Sequence, residues 1–231
     1  MKELLASEAG LLDACLESFR SFPVVMLQFP EVFALMAPPN QQGVDALNRV
    51  KKRLPEKFYS TLVGEDAHFL HLTDYLPEYL PRDQAGSLLE GSIMRIRVAD
   101  VDKNSPVCFA GTHQGLVYRQ GYLRELFKAL EKAFKPIAEP GFHFGKNYSA
   151  PLCTSANISG HPDGSITDLT TARRFAESAG IPLLIRSAEP DANEKGSYPV
   201  LIPEKDHIRV ERNGPGLSEI MQRFPDGLFR Y

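Results

Sequence analysis

Ala150-Pro151-Leu152-Cys153-Thr154-Ser155-Ala156-Asn157-Ile158-Ser159-Gly160 is the stretch from which the rest of the chain falls into place. Its first four residues are small or apolar and read as a buried strand, and the polar run after them reads as the strand's end opening into a ligand loop. In extended backbone, side chains two apart point to one side, so the Ser155 hydroxyl and the Asn157 amide would meet one ligand. Gly160 would let the backbone turn sharply or come close to a phosphate. On its own, a Ser/Asn/Gly cluster is more often an ordinary polar turn that closes a strand.

Working outward, Val44, Leu47, Val50 and Leu54 recur at helical spacing after Gly43, and Pro55 stops the pattern. Residues 59–63 follow as a short strand. The last turn of this helix carries Lys51-Lys52-Arg53, and such a triplet alone is a solvated basic face that complements the helix C-terminal dipole. Lys51 and Arg53 diverge by about 200° on an ideal helix, so they reach one ligand only if the turn loosens or their stems bend back. A helix is expected over residues 7–20 and a buried strand over 23–29. Further strands are expected at 93–98 and 115–119, and a helix of about four turns runs from Tyr122 to Phe134. Thr167 or Asp168 would cap a helix running to Gly180, before strands at 181–185, 200–202 and 208–211. Apolar strands alternating with amphipathic helices, without internal repeat or long linker, predict one α/β domain over residues 1–231 with a largely mixed sheet.

The 231 residues, 43% hydrophobic and 24% charged, are enough to bury one sizeable core. A net charge of -3 argues against a protein that coats nucleic acid along its whole surface, so any RNA contact would be a local basic groove. Cys15, Cys108 and Cys153 are widely spaced, with no C-x-x-C pair, which suggests neither a disulfide framework nor a zinc site and fits a reducing, cytoplasmic setting. No apolar run approaches the roughly 20 residues of a membrane span. His68 and His71, three apart beside Asp66 and Asp74, are a weak metal signal. The segment from Gly141 to Asn147 is one residue short between its glycines for a phosphate-binding P-loop and lacks the following Ser or Thr. Aromatic residues between Phe69 and Tyr79 could stack on bases, with packing the better default. Zinc-protease and α/β-hydrolase motifs are absent from the sequence.

The run from Ser155 to Gly160 resembles the Ser-Ala-Asn-x-Ser-Gly signature of the YrdC-like family, whose best-known members are threonylcarbamoyl-AMP synthases. That family also carries a Lys-x-Arg about a hundred residues upstream, matched here by Lys51-Lys52-Arg53. The resemblance extends from about Pro23 to Gly214 and is strongest over 43–63 and 150–214. It implies a YrdC-like fold, with Lys51, Arg53, Ser155 and Asn157 as the catalytic set and Arg119, Thr154, Ser197 and Arg212 as nucleotide ligands. It also implies ATP, with Mg2+ carried on the nucleotide, bicarbonate and an amino acid as substrates, and RNA or tRNA as a further partner. In such chemistry a carbamate oxygen attacks the α-phosphorus and pyrophosphate leaves. Lys51 and Arg53 would neutralise charge while Ser155 and Asn157 act as orienting donors.

Departures fall on the acceptor side. Family enzymes open with Pro-Thr-Asp/Glu-Thr-x-Tyr-Gly-Leu, whereas this chain has Phe29-Pro30-Glu31-Val32-Phe33-Ala34-Leu35-Met36. Both threonine hydroxyls are replaced, by Pro30 and Val32, and Ala34 stands at the tyrosine position. Gln120-Gly121 replaces the proline continuation after Arg119. Three functions therefore stand open: the family reaction with L-threonine, an ATP-dependent reaction with a different acceptor, and a non-catalytic module that binds nucleotide or RNA.

Overall fold

The computed structural model describes residues 1–52, 58–98, 105–143, 145–158 and 164–231. Strand β1 (Lys2–Leu5) leads into helix α1 (Leu11–Ser21), which buries Leu11, Cys15 and Ser18 along one face. Strands β2 (Val25–Gln28) and β3 (Phe33–Ala37) pair as a hairpin, with Gln28 opposite Phe33 and Pro30 and Glu31 in its loop. Helix α2 (Gln41–Lys51) begins at Asn40, whose Oδ1 accepts the Gly43 N–H at 3.0 Å, and ends where Lys52 turns left-handed at φ 47°. Next come β4 (Ser60–Leu62), the short α3 (Asp66–Leu70) and α4 (Ala85–Leu88), then β5 (Ser92–Arg97), β6 (Cys108–Phe109) and β7 (Thr112–Val117). Helix α5 (Tyr122–Phe134) buries Leu123, Leu126, Phe127, Leu130 and Phe134, the stripe its sequence predicts. The chain continues through β8 (Leu152–Ser155), α6 (Leu169–Ser178), β9 (Leu183–Arg186), β10 (Val200–Pro203), β11 (Ile208–Arg212), α7 (Leu217–Met221) and β12 (Phe229–Arg230).

Among the described residues, twelve strands form one mixed sheet, in the order β1-β9-β2-β3-β8-β4-β7-β5-β10-β11-β12, with β6 joined to β7. Alternation along the strands feeds two cores on opposite faces. Val25 and Leu27, with Ala34 and Met36, pack in one cluster with residues of α1 and α5. Met26, Phe33 and Leu35 pack in another with Val44 and Leu47 of α2 and Ala172 and Ala176 of α6. A third cluster joins Met94, Leu201 and Val210 to α3, α4 and α7. Each fully buried Leu or Phe in these clusters contributes about 1.5–3 kcal/mol before entropy is subtracted.

The α/β class and mixed sheet agree with the sequence. Asp168 is the cap expected for α6, accepting the Thr171 N–H at 2.8 Å. Four strands were not anticipated: β1 at the sheet edge, β3 inside the segment that departs from the family pattern, and the two-residue β6 and β12. The expected strand over 115–119 instead starts at Thr112 and ends at Val117, leaving Arg119 beyond it. Arg53, the stop at Pro55 and the turn at Gly160 lie outside the described residues. The three cysteines are free. Among the described residues, no helix is long and apolar enough to cross a membrane.

Candidate functional site

Seven neighbouring strands, from β3 across to β11, contribute to the lining of a cavity of about 520 Å³. Strand geometry makes this floor: Gln114 pairs with Arg95 and Leu116 with Ile93 across β7 and β5, and residues two apart on each strand share a face. Cys153 and Ser155 on β8, Ser60 on β4, Val200 on β10 and Arg212 on β11 continue the same surface. Ala34 lies opposite Ser155 in the ladder, which brings the β2–β3 hairpin to the signature segment.

Lys51 reaches this floor from the end of α2. The residue is 2% exposed, and its ammonium donates to the Ser155 carbonyl at 2.5 Å and to Asn157 Oδ1 at 2.7 Å, from 104 and 106 positions away. A buried ammonium persists only with such acceptors around it. The Ser155 hydroxyl donates to the same Oδ1 at 2.8 Å, and Asn157 Nδ2 donates to the Ile158 carbonyl at 3.1 Å. Two donors therefore saturate Asn157 Oδ1, which leaves the amide one N–H for a ligand, while Ser155, its proton committed, offers lone pairs. The extended geometry expected from Ser155 to Asn157 stops at Ser155, and a bend brings Asn157 back onto the strand end.

On the far side, Arg95 Nη1 donates to Glu211 at 2.6 Å and Nη2 to Gln114 Oε1 at 2.9 Å, and Gln114 Nε2 donates to Ser60 at 2.6 Å. The Arg95 guanidinium lies 5.3 Å from the Phe58 ring centroid, and its Nε is buried without a hydrogen-bond partner among the described residues. Arg212 donates through Nε and Nη2 to the Tyr198 carbonyl at 3.2 and 2.8 Å. Desolvation holds both arginines below the ordinary arginine value, yet a guanidinium stays charged at any physiological pH. Lys51, Arg95 and Arg212 against Glu211 give the cavity excess positive charge, suited to an anion.

Of the residues singled out in the sequence, Lys51, Ser155, Asn157, Thr154, Ser197 and Arg212 line this one cavity. Ser197 Oγ shares a 2.7 Å hydrogen bond with Ser165. Arg119 does not line it. The Arg119 guanidinium pairs with Glu31 at 2.5 Å and Glu189 at 3.4 Å, which makes it a brace of the rim. Glu31 also accepts the Tyr198 hydroxyl, and its backbone carbonyl accepts Gly196 N–H at 3.0 Å, so the segment before β10 is clamped onto the hairpin loop. Gly214 admits the chain itself: a Cβ there would lie 2.3 Å from the Ser197 carbonyl oxygen. Ser60, Gln114, Arg95 and Glu211 also line the cavity and belong to no motif in the sequence. Their signal was polar residues at inward-facing alternate positions on adjacent strands.

A second polar cluster is buried away from the cavity. His113 Nδ1 meets the Val107 carbonyl at 3.0 Å and Nε2 meets Thr61 Oγ1 at 3.1 Å, and that hydroxyl also meets Tyr148 at 3.2 Å. His143, edge-on to His113 and Tyr148, has no hydrogen-bond partner on either nitrogen among the described residues. His68 pairs with Glu131 at 2.7 Å, and among the described residues no three metal-ligating side chains gather.

No family model and no curated protein matches this sequence. Solved structures do. P. abyssi Sua5 superposes with a TM-score of 0.65 at 16% identity over 99% of this chain in a doubly substituted form, and with 0.62 at 14% over 100% when complexed with L-threonine. The chain spans 65% and 63% of those two Sua5 chains, just under two thirds. E. coli YciO matches with a TM-score of 0.59 and 11% identity over 92% of this chain and 93% of its own. Full-length HypF in its phosphate- and nucleotide-bound form matches with 0.59 and 13% over 89% of this chain and 29% of its own. The chain thus shares the YrdC-like fold of Sua5 and YciO.

Proposed function

We propose that this protein forms a carbamoyl-adenylate from ATP, bicarbonate and an amino acid, as the nucleotidyltransferase step of a tRNA-modifying pathway. The observation that carries this is the meeting of Lys51, Ser155 and Asn157 at the edge of a cationic cavity. Likeness to a Sua5 complexed with L-threonine and to a HypF in a phosphate- and nucleotide-bound form supports it.

The reacting step needs no protein nucleophile. A carbamate oxygen bonds to the α-phosphorus of ATP, the α–β bridging bond breaks, and pyrophosphate takes the electron pair. The chain's residues then have three tasks. Lys51 sets positive charge beside the transferred group, Asn157 Nδ2 donates to a phosphate or carbamate oxygen, and Ser155 accepts from a ligand N–H. Arg212 and Arg95 hold the rest of the anion, and the cavity walls keep the carbamate from water. Magnesium would arrive on the ATP phosphates.

Mass spectrometry of the protein incubated with Mg-ATP, bicarbonate and a pooled set of amino acids tests this reading. It expects a carbamoyl-adenylate with stoichiometric pyrophosphate, and loss of both by more than tenfold in Lys51→Ala and Asn157→Ala. Nucleotide binding without product would move the assignment to a binding module. Unchanged nucleotide affinity in both variants would remove the site assignment itself.

A further inference from the structure

The cavity is chemically divided. Its charged groups stand at Lys51 with the signature segment and at the Arg95, Glu211 and Arg212 edge. Its lining also includes an apolar wall made of Phe29, Val32, Ala34, Leu116 and Tyr198, all in one contiguous buried cluster with Ile93 packed against it, apart from the polar Ser60 and Gln114 of the floor. Tyr198 carries a hydroxyl, but it is donated to Glu31, whose other carboxylate oxygen takes Arg119. Cys153, the remaining heteroatom on this wall, is a neutral thiol whose pKa burial pushes up to about 12, and a thiol is a weak hydrogen-bond group. A ligand side chain seated here meets carbon.

Resting on the adenylation reading above, we propose that the acceptor amino acid carries an apolar branched side chain, and that this wall selects against a hydroxyl. L-valine and L-threonine are nearly the same shape and differ by a methyl for a hydroxyl, so they isolate the effect. A hydroxyl buried without a partner is disfavoured by about 1–3 kcal/mol, which converts to roughly 5- to 150-fold. Apolar pockets reject an isostere that adds a hydroxyl by about a hundredfold.

Two measurements test this. In the first, equal concentrations of L-valine and L-threonine compete for carbamoyl-adenylate formation with Mg-ATP and bicarbonate, read by mass spectrometry. In the second, calorimetry compares the binding of each amino acid to the protein loaded with a non-hydrolysable ATP analogue. The expected result is a preference for valine of at least tenfold in both. It should narrow several-fold in Val32→Thr, a near-isosteric change that adds a hydroxyl to the wall. Product formed from threonine as readily as from valine would overturn the inference and leave adenylation standing. If neither amino acid gives product, the binding arm decides alone: tighter valine binding sustains an apolar ligand, whereas equal binding or none overturns it.

Discussion

Lowering the pH from 7.5 to 5 should destabilise this protein through His113. Its ring is fully buried and bonded as a neutral imidazole between the Val107 carbonyl and Thr61, and desolvation pulls its pKa down to about 4. The unfolded chain binds the proton near pH 6.5, so the stability held above that value is lost as pH falls towards the folded pKa. Taking 6.5 and about 4, the loss is about 2 kcal/mol at pH 5 and approaches about 3.4 kcal/mol in full. His143, held well below its ordinary value by the same burial, acts in the same direction. Glu131, raised by burial, takes up its proton early in the folded state and offsets a part near the lower end. Urea titrations followed by circular dichroism at half-unit pH steps would read this, comparing the protein with His113→Gln, whose amide carries no titration. Between pH 7.5 and 5 the wild-type midpoint should fall by roughly 0.7–1 M more than the variant's, for a slope of about 2–3 kcal/mol/M. Parallel curves would refute the account, because the buried imidazole would then contribute no proton linkage.

Gly115→Ala should destabilise by about 1–3 kcal/mol, measured by thermal melting, since the new Cβ would stand 2.6 Å from Val63 and 2.7 Å from Phe69 in a packed core. Asp168→Ala removes the α6 cap and should cost about 1 kcal/mol, while Asp168→Asn keeps an acceptor and should recover most of it. Cys153 should resist thiol reagents at pH 8 in the folded protein despite lining the cavity, since its thiol titrates only at about 12; labelling before unfolding would contradict that. Glu31→Gln breaks the charge-assisted bond to Arg119 and should weaken ligand binding and stability together, with a loss of about 1.5–3 kcal/mol in chemical denaturation.

The four longer helices, α1, α2, α5 and α6, were legible because each carries its own local signal, whereas the short α3, α4 and α7 do not. The α5 stripe and the Asp168 cap need no tertiary information. β3 was not, because residues 33–37 are buried on both sides, so no alternation marks them as a strand, and they were read only against a family motif. At the site, Lys51 with Ser155 and Asn157 could be paired from two motifs, and Arg212 and Ser197 from position. Arg119 misled for a physical reason: an arginine following a strand reads as a ligand, and only the fold shows that Glu31 and Glu189 already occupy its fork. The Arg95, Gln114 and Ser60 network was invisible because its members sit on three separate strands and converge only through register.

The clamp between the hairpin loop and the segment before β10 has a consequence in time. Glu31 meets Tyr198 across 167 positions, and β1 pairs with β9 through Lys2 and Leu183. Contacts of such sequence separation carry the largest loop-closure entropy and form late, so folding should be slow for a chain of this size. During synthesis the hairpin, α2 and even the signature segment emerge well before their rim exists. Under the proposed function, nucleotide affinity should consequently appear as the last event of refolding, after the helical signal has returned, and a chain interrupted before Tyr198 would hold the signature residues without the complete cavity to place them in.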